Sequence, residues 1–116
     1  MSTFSKKKGQ QGESLAIHYL QKNNFKIICR NFHSYYGEID IIALKKEQLH
    51  FIEVKNYKEN SLIPAIFMIT KQKQKKIIKT AKFYLLKQDN PFLNCQFDVI
   101  LIQANQKIEH LQNAFY

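Results

Sequence analysis

Apolar and polar positions along this chain fall into stretches of two different periods. Residues 37–57 read Gly-Glu-Ile-Asp-Ile-Ile-Ala-Leu, then Lys-Lys-Glu-Gln, then Leu-His-Phe-Ile-Glu-Val-Lys-Asn-Tyr. Two β-branched, apolar runs around a charged turn predict a β-hairpin. Ahead of it, Leu15, Ala16, Tyr19 and Leu20 recur at helical spacing and predict a helix over residues 9–24, stopped by Asn23-Asn24. Residues 1–8 are short, polar and basic, and read as a frayed terminus or a phosphate-binding arm. Residues 25–32 read as a strand and 33–37 as a turn.

Beyond the hairpin, residues 58–62 form a polar stretch, and the apolar residues 64–69 suit a short helix or a lid. Thr70 suits the N-cap of a second helix over residues 71–88, with Ile77, Ile78, Ala81, Tyr84 and Leu85 as its apolar stripe. Asp89-Asn90-Pro91 breaks it. Residues 97–103 are almost continuously apolar, as in a strand buried on both faces. A weaker strand, 107–111, follows a turn at Asn105-Gln106. The order is α-β-β-β-α-β-β: an α/β (α+β) fold with a mixed sheet flanked by helices, one domain over residues 1–116.

Strand alternation decides what the hairpin presents. One face of its first strand carries Glu38, Asp40, Ile42 and Leu44, and one face of the second carries Leu49, Phe51, Glu53 and Lys55. An even loop, 45–48 or 46–47, sets Leu44 opposite Leu49. Ile42 then faces Phe51, Asp40 faces Glu53 and Glu38 faces Lys55. An odd loop would break this pairing. Opposed Cβ atoms lie about 5 Å apart, and like charges there weaken a sheet. A shared proton, a lysine or a cation must offset them. A hard ion such as Mg²⁺ (or Mn²⁺) takes carboxylate, carbonyl and water oxygens. With Lys55 two residues beyond Glu53 to hold water or developing charge, the set suits phosphodiester hydrolysis. Ordinary surface ion pairs at the open end of a hairpin are the plainer reading.

Glu13 falls in the first turn of the expected helix, where the dipole favours a negative charge. Placed over the open end of the hairpin, it would instead add a further carboxylate. His18, His33, His50 and His110 make no ligand pattern, and Asp98 reads as structural.

Charge adds a partner to this picture. The 116 residues carry a net charge of +9, which favours a polyanion. Arg30 is the sole arginine, so the basic surface should grip phosphate without reading base edges. Lys71, Lys73, Lys75, Lys76, Lys79, Lys82 and Lys87 cover the second helix, and no acid occurs between Glu59 and Asp89. Their mutual repulsion favours a phosphate-facing surface over a merely solvated one. DNA bound without strong sequence specificity is the expected partner, and no membrane, since no apolar run reaches transmembrane length. Two cysteines outside any Cys-x-x-Cys pair, with no signal peptide, suit a reducing cytoplasm. Both read as small core residues.

Nearly the whole chain resembles the YraN-like family of bacteria, assigned to the restriction-endonuclease-like (Holliday-junction-resolvase-like) superfamily. The resemblance rests on Gly12-Glu13 with Ala16 and Leu20, on Arg30-Asn31, on Gly37-Glu38-Ile39-Asp40 and on Phe51-Ile52-Glu53-Val54-Lys55. Downstream it includes Lys73-Gln74, Ala81 with Tyr84-Leu85, Phe97-Asp98-Val99 and Ala114-Phe115. It implies an endonuclease site of the Asp…Glu-x-Lys type. Asp40, Glu53 and the carbonyl of Val54 would bind the metal, Lys55 would position the attacking water, and Glu13 would be the helix-borne acid. Resolvase-like relatives further imply a homodimer. Tyr57 and Gln96 stand where family members usually carry arginine, which removes two cations from the expected DNA surface. The leading expectation is a Mg²⁺-dependent nuclease acting on DNA, branched DNA included. The alternatives are a non-catalytic nucleic-acid-binding module of a DNA-processing complex and a protein-interaction role centred on residues 64–68.

Overall fold

The computed structural model describes residues 3–57, 69–89 and 94–116. Seven elements follow in the order α1 (Thr3–Lys22), β1 (Lys26–Ser34), β2 (Gly37–Lys45), β3 (Gln48–Tyr57), α2 (Lys71–Leu86), β4 (Asn94–Gln103) and β5 (Ile108–Phe115). The strands form a single sheet in chain order, β1-β2-β3-β4-β5. All neighbours are antiparallel except β3 and β4, which run parallel. This is the expected mixed sheet flanked by helices. The segment 58–68, expected to hold a loop and a short helix or lid, lies outside the described residues, as do Asn90 and Pro91. Ile69, at its margin, is buried.

The central hairpin follows from its turn. Lys46 and Glu47 both have positive φ, 49° and 66°, as a two-residue type I′ turn requires. That turn places Leu44 opposite Leu49 and Ile42 opposite Phe51, as the even-loop reading expects. Alternation then divides the apolar side chains between the two faces. Ile42, Leu49, Phe51, Phe97, Val99 and Leu101 pack with Ile77, Ala81 and Tyr84 of α2. Ile41, Ala43, Ile52, Ile100 and Ile102 pack with Ala16 and Leu20 of α1 and with Phe25. Each such fully buried side chain contributes about 1.5–3 kcal/mol before entropy is counted.

Both helices end on local signals. Asn24 adopts φ 69° after α1, while its N–H bonds Gln21 O and that of Phe25 bonds Leu20 O. This is a Schellman closure with asparagine as the left-handed residue. Thr70 caps α2 by accepting the Lys73 N–H at 3.1 Å. At Gly37, φ is 154°, and an added Cβ would lie 3.4 Å from Thr80 Oγ1. The space would admit a Cβ, so it is the backbone angle at the start of β2 that calls for glycine.

The first helix departs from its expected bounds. It begins at Thr3, not near residue 9, so no acidic residue lies in its first turn. Glu13 therefore sits mid-helix, and the expected dipole role does not apply. The last strand runs to Phe115, beyond the expected 111, because it pairs along β4 through an irregularity opposite Asp98.

Non-glycine residues in the left-handed region cost about 1 kcal/mol each. Replacing the turn by Lys46→Asn and Glu47→Gly should raise stability to denaturant by on the order of 1 kcal/mol without changing the denaturant slope.

Candidate functional site

Where β2 and β3 part, their acids meet. The β2–β3 ladder runs from Lys45 opposite Gln48 to Ile41 opposite Ile52. One step further, the Asp40 side chain takes over, and its Oδ2 accepts the Val54 N–H at 2.8 Å. That bond spans the strands next to Glu53. Glu53 is buried to 5 % exposure although it is a carboxyl group. Burial first, then the charge of Asp40 and a hydrogen bond to it, push the Glu53 carboxyl up to about 8, while Lys73 opposes the shift. The counter-charge comes from α2, where Lys73 Nζ lies 3.3 Å from Glu53 Oε1. Desolvation of this kind favours the neutral acid.

Glu13 reaches the same place from the middle of α1. Burial raises its carboxyl above the usual value, as do the charges of Asp40 and, more weakly, Glu38, while Arg30 and a hydrogen bond from Asn31 lower it. Asn31 is itself held at φ 52° in β1. The Oε1 atom of Glu13 is buried without a hydrogen-bond partner. A buried acceptor left unpaired costs about 1–3 kcal/mol. Asp40 of β2 thus stands between two other carboxyl groups, Glu13 of α1 and Glu53 of β3.

Other expected site residues stand at different distances from this cluster. Lys55 follows Glu53 on the same strand face and is half-buried. Val54 contributes its N–H to Asp40. Glu38 pairs with His33 at 3.1 Å instead of the expected Lys55. Of the lysines on α2, Lys71, Lys75, Lys76, Lys79 and Lys82 are exposed, and Lys73 turns inward to Glu53. Tyr57, in place of an arginine, packs against the α2-side core. A cleft of about 320 Å³ opens between Gly37, Glu38 and the start of α2, lined by Thr70, Lys73 and Lys76.

A second polar cluster lies on the α1 side of the sheet, and the residue pattern did not reveal it. Asp98, fully buried, lies 2.6 Å from His50 Nδ1 and 2.8 Å from His110 Nε2 through one oxygen. Its other oxygen accepts the Gln96 amide at 2.9 Å and the Asn113 N–H at 3.0 Å. The irregularity in β4–β5 pairing, with Asn113 at φ 53°, aims that N–H. Gln96, in place of an arginine, is thus a ligand of Asp98. Burial would raise the Asp98 carboxyl, but the bonds from His110, His50, Gln96 and Asn113 outweigh it and hold it well below the usual range. Both imidazoles must then donate to it, and the Tyr19 hydroxyl lies 3.1 Å from the remaining His110 nitrogen. The three ligand-type atoms lie within 4.8 Å of one another, a spread that could hold a metal ion. Two of the separations are hydrogen-bond lengths, shorter than the about 3.4 Å between ligands of a tetrahedral zinc. The geometry is that of a buried anion with its donors supplied. Its one sequence signal is shared parity: His50 with Ile52, Asp98 with Ile100 and His110 with Ile108, all facing α1.

Among known proteins, residues 12–102 match the model of the uncharacterised protein family UPF0102. A UPF0102 protein of Campylobacter fetus subsp. fetus is 45 % identical over 93 % of each chain. One from Persephonella marina is 42 % identical over 97 % of this chain and 96 % of its own. One from Campylobacter hominis is 44 % identical over 90 % of each.

Two pH responses follow. The folded state keeps the Glu53 proton after the unfolded chain has lost it, so stability of the metal-free protein should fall as pH rises from 4.5 towards 8. Glu53→Gln should remove that fall and stabilise the protein at pH 8 by about 1–3 kcal/mol in denaturant titrations. Asp98 acts in the opposite sense: its contribution is present above the ordinary 3.8 and lost as pH falls below it. Asp98→Asn should cost about 2–4 kcal/mol at pH 7, with a shallower acid limb.

Proposed function

This chain belongs to the UPF0102 family, and we propose that it is a metal-dependent nuclease that hydrolyses DNA phosphodiester bonds at the Glu13–Asp40–Glu53 cluster. The observation that carries this reading is that Asp40 stands between a buried Glu53 and a half-buried Glu13 whose Oε1 atom lacks any partner. The donor set is all oxygen, as Mg²⁺ or Mn²⁺ prefers. The proton favoured on Glu53 by burial, and then by Asp40, is what a cation would replace. Asp40, Glu53 and the Val54 carbonyl would hold the ion, with Glu13 beside them.

When bound, the ion supplies an acidified water and neutralises charge on the phosphate. The chain's own groups do the rest. Lys55, beside Glu53 on β3, holds the water or the charge developing on the phosphate. Lys73, which pairs with Glu53, would be released towards the phosphate where a cation took its place on Glu53. The exposed lysines of α2 hold the strand by its backbone, so recognition is of phosphate and not of base sequence.

Labelled single-stranded, duplex and four-way-junction DNA, incubated with Mg²⁺ or Mn²⁺, would test this. Asp40→Asn, Glu53→Gln and Lys55→Ala should each lower cleavage by at least about a hundredfold, and Glu13→Gln by about tenfold. Calorimetry with the metal alone should show binding to the wild type and none to Asp40→Asn/Glu53→Gln. Undiminished cleavage by Glu53→Gln would refute the site. DNA binding without cleavage of any substrate would leave a non-catalytic binding module.

A further inference from the structure

The turn between β1 and β2 projects Tyr35, 98 % exposed, and Tyr36, 46 % exposed, from the surface. They are informative because they adjoin further exposed apolar groups, and contiguous apolar patches mark interaction surfaces. Their ring centroids lie 5.7 Å apart, edge to face, and Tyr36 in turn lies 6.4 Å from Phe83 of α2. Tyr36, Phe83 and the exposed Leu86 line a hollow of about 380 Å³ whose remaining walls are Lys79 and Lys82. Lys87 Nζ stands 4.3 Å over the Phe83 ring. Aromatic faces and ammonium groups therefore alternate across one patch.

We propose that this patch binds an unpaired nucleic-acid strand, with bases stacked on Tyr35 and Tyr36 and phosphates held by Lys79 and Lys82. Charge complementarity selects a polyanion, because α2 carries no acid between Lys71 and Leu86. The aromatic groups select unpaired bases, because stacking faces are hidden inside a duplex and are worth about 1–3 kcal/mol per base when free. Lysine reads no base edge, so the patch is tolerant of sequence.

The position of the patch gives this a consequence for substrate choice. Phe83 lies ten residues beyond Lys73 on the same helix, about 15 Å along its axis. Lys76 and Lys79 fill the interval. A strand laid on α2 would join the carboxylate cluster to the aromatic patch across about four nucleotides at duplex spacing. Gly37, at the end of the tyrosine-bearing turn, lies against α2 at Lys76 and Thr80, which sets that turn beside the helix. The preferred substrate is then DNA with a single-stranded segment beside the bond to be cut. That last step rests on the nuclease reading; the binding itself does not.

Binding is therefore measured in EDTA, by fluorescence anisotropy, with a labelled oligothymidylate and a duplex of the same length. Tyr35→Ala/Tyr36→Ala should weaken single-strand binding about tenfold and leave duplex binding within about twofold. Tyr35→Trp/Tyr36→Trp should retain it, which separates stacking from damage to the turn. Lys79→Ala/Lys82→Ala should weaken both ligands and flatten the salt dependence by about one to two units of slope. Equal loss for both ligands in the tyrosine variant, or no loss for either, would overturn the proposal. So would a wild-type dimer, seen by sedimentation, that the tyrosine variant dissociates, since the patch would then belong to a second copy. Failure of all cleavage would sink the nuclease reading and leave this binding result standing.

Discussion

The bond from Val54 N–H to Asp40 fixes what the rest of the site can do. It replaces a rung of the β2–β3 ladder by a side chain, so the strands part while remaining tied. The gap admits Glu53 from β3, Glu13 from α1 and Lys73 from α2. A sheet paired to its end would have no room for them. The cost of gathering acids is met partly by Lys73 and partly by a retained proton, and neither device satisfies Glu13. Such incomplete satisfaction in an otherwise well-packed molecule is a common mark of a functional site.

The two faces of the sheet solve the problem of buried charge differently. On the α2 side, Glu53 is buried with Lys73 as its one charged partner and is driven towards its neutral form. On the α1 side, Asp98 receives four donors and stays ionised although no part of it is exposed. The contrast separates acids short of donors from an acid fully supplied with them. Gln96 is one of the four donors to Asp98, and Tyr57 lies half-buried against the α2-side core.

Local rules made much of this legible in the sequence. Turn parity gave the hairpin register as far as Ile41 opposite Ile52, since Lys46-Glu47 is a two-residue loop; the ladder stops one step short of Asp40 and Glu53, whose side chains meet without that pairing. Thr70 and Asn24 marked helix ends because capping depends on near neighbours. What stayed hidden depends on distant contacts. Six further residues of α1 could not be read from a polar, basic stretch, and so Glu13 was assigned to the wrong turn. His50, Asp98 and His110 carry no ligand spacing, because they are brought together by pairing of β3 with β4 and β4 with β5. The inward turn of Lys73 likewise needs the packing of α2 on the sheet.

Strand order equal to chain order has a kinetic side. Three of the four strand pairings join neighbours through short turns, and such closures cost little entropy. The parallel pairing of β3 with β4 alone must close a long stretch of chain that contains α2. Pairing that depends on long closures is the slow part of folding. The hydrogen bond from His50 to Asp98 can form only when that closure is complete, as it joins those two strands. It therefore acts as a latch on the slowest joint of the molecule, and its loss would show first in the rate at which the sheet comes apart.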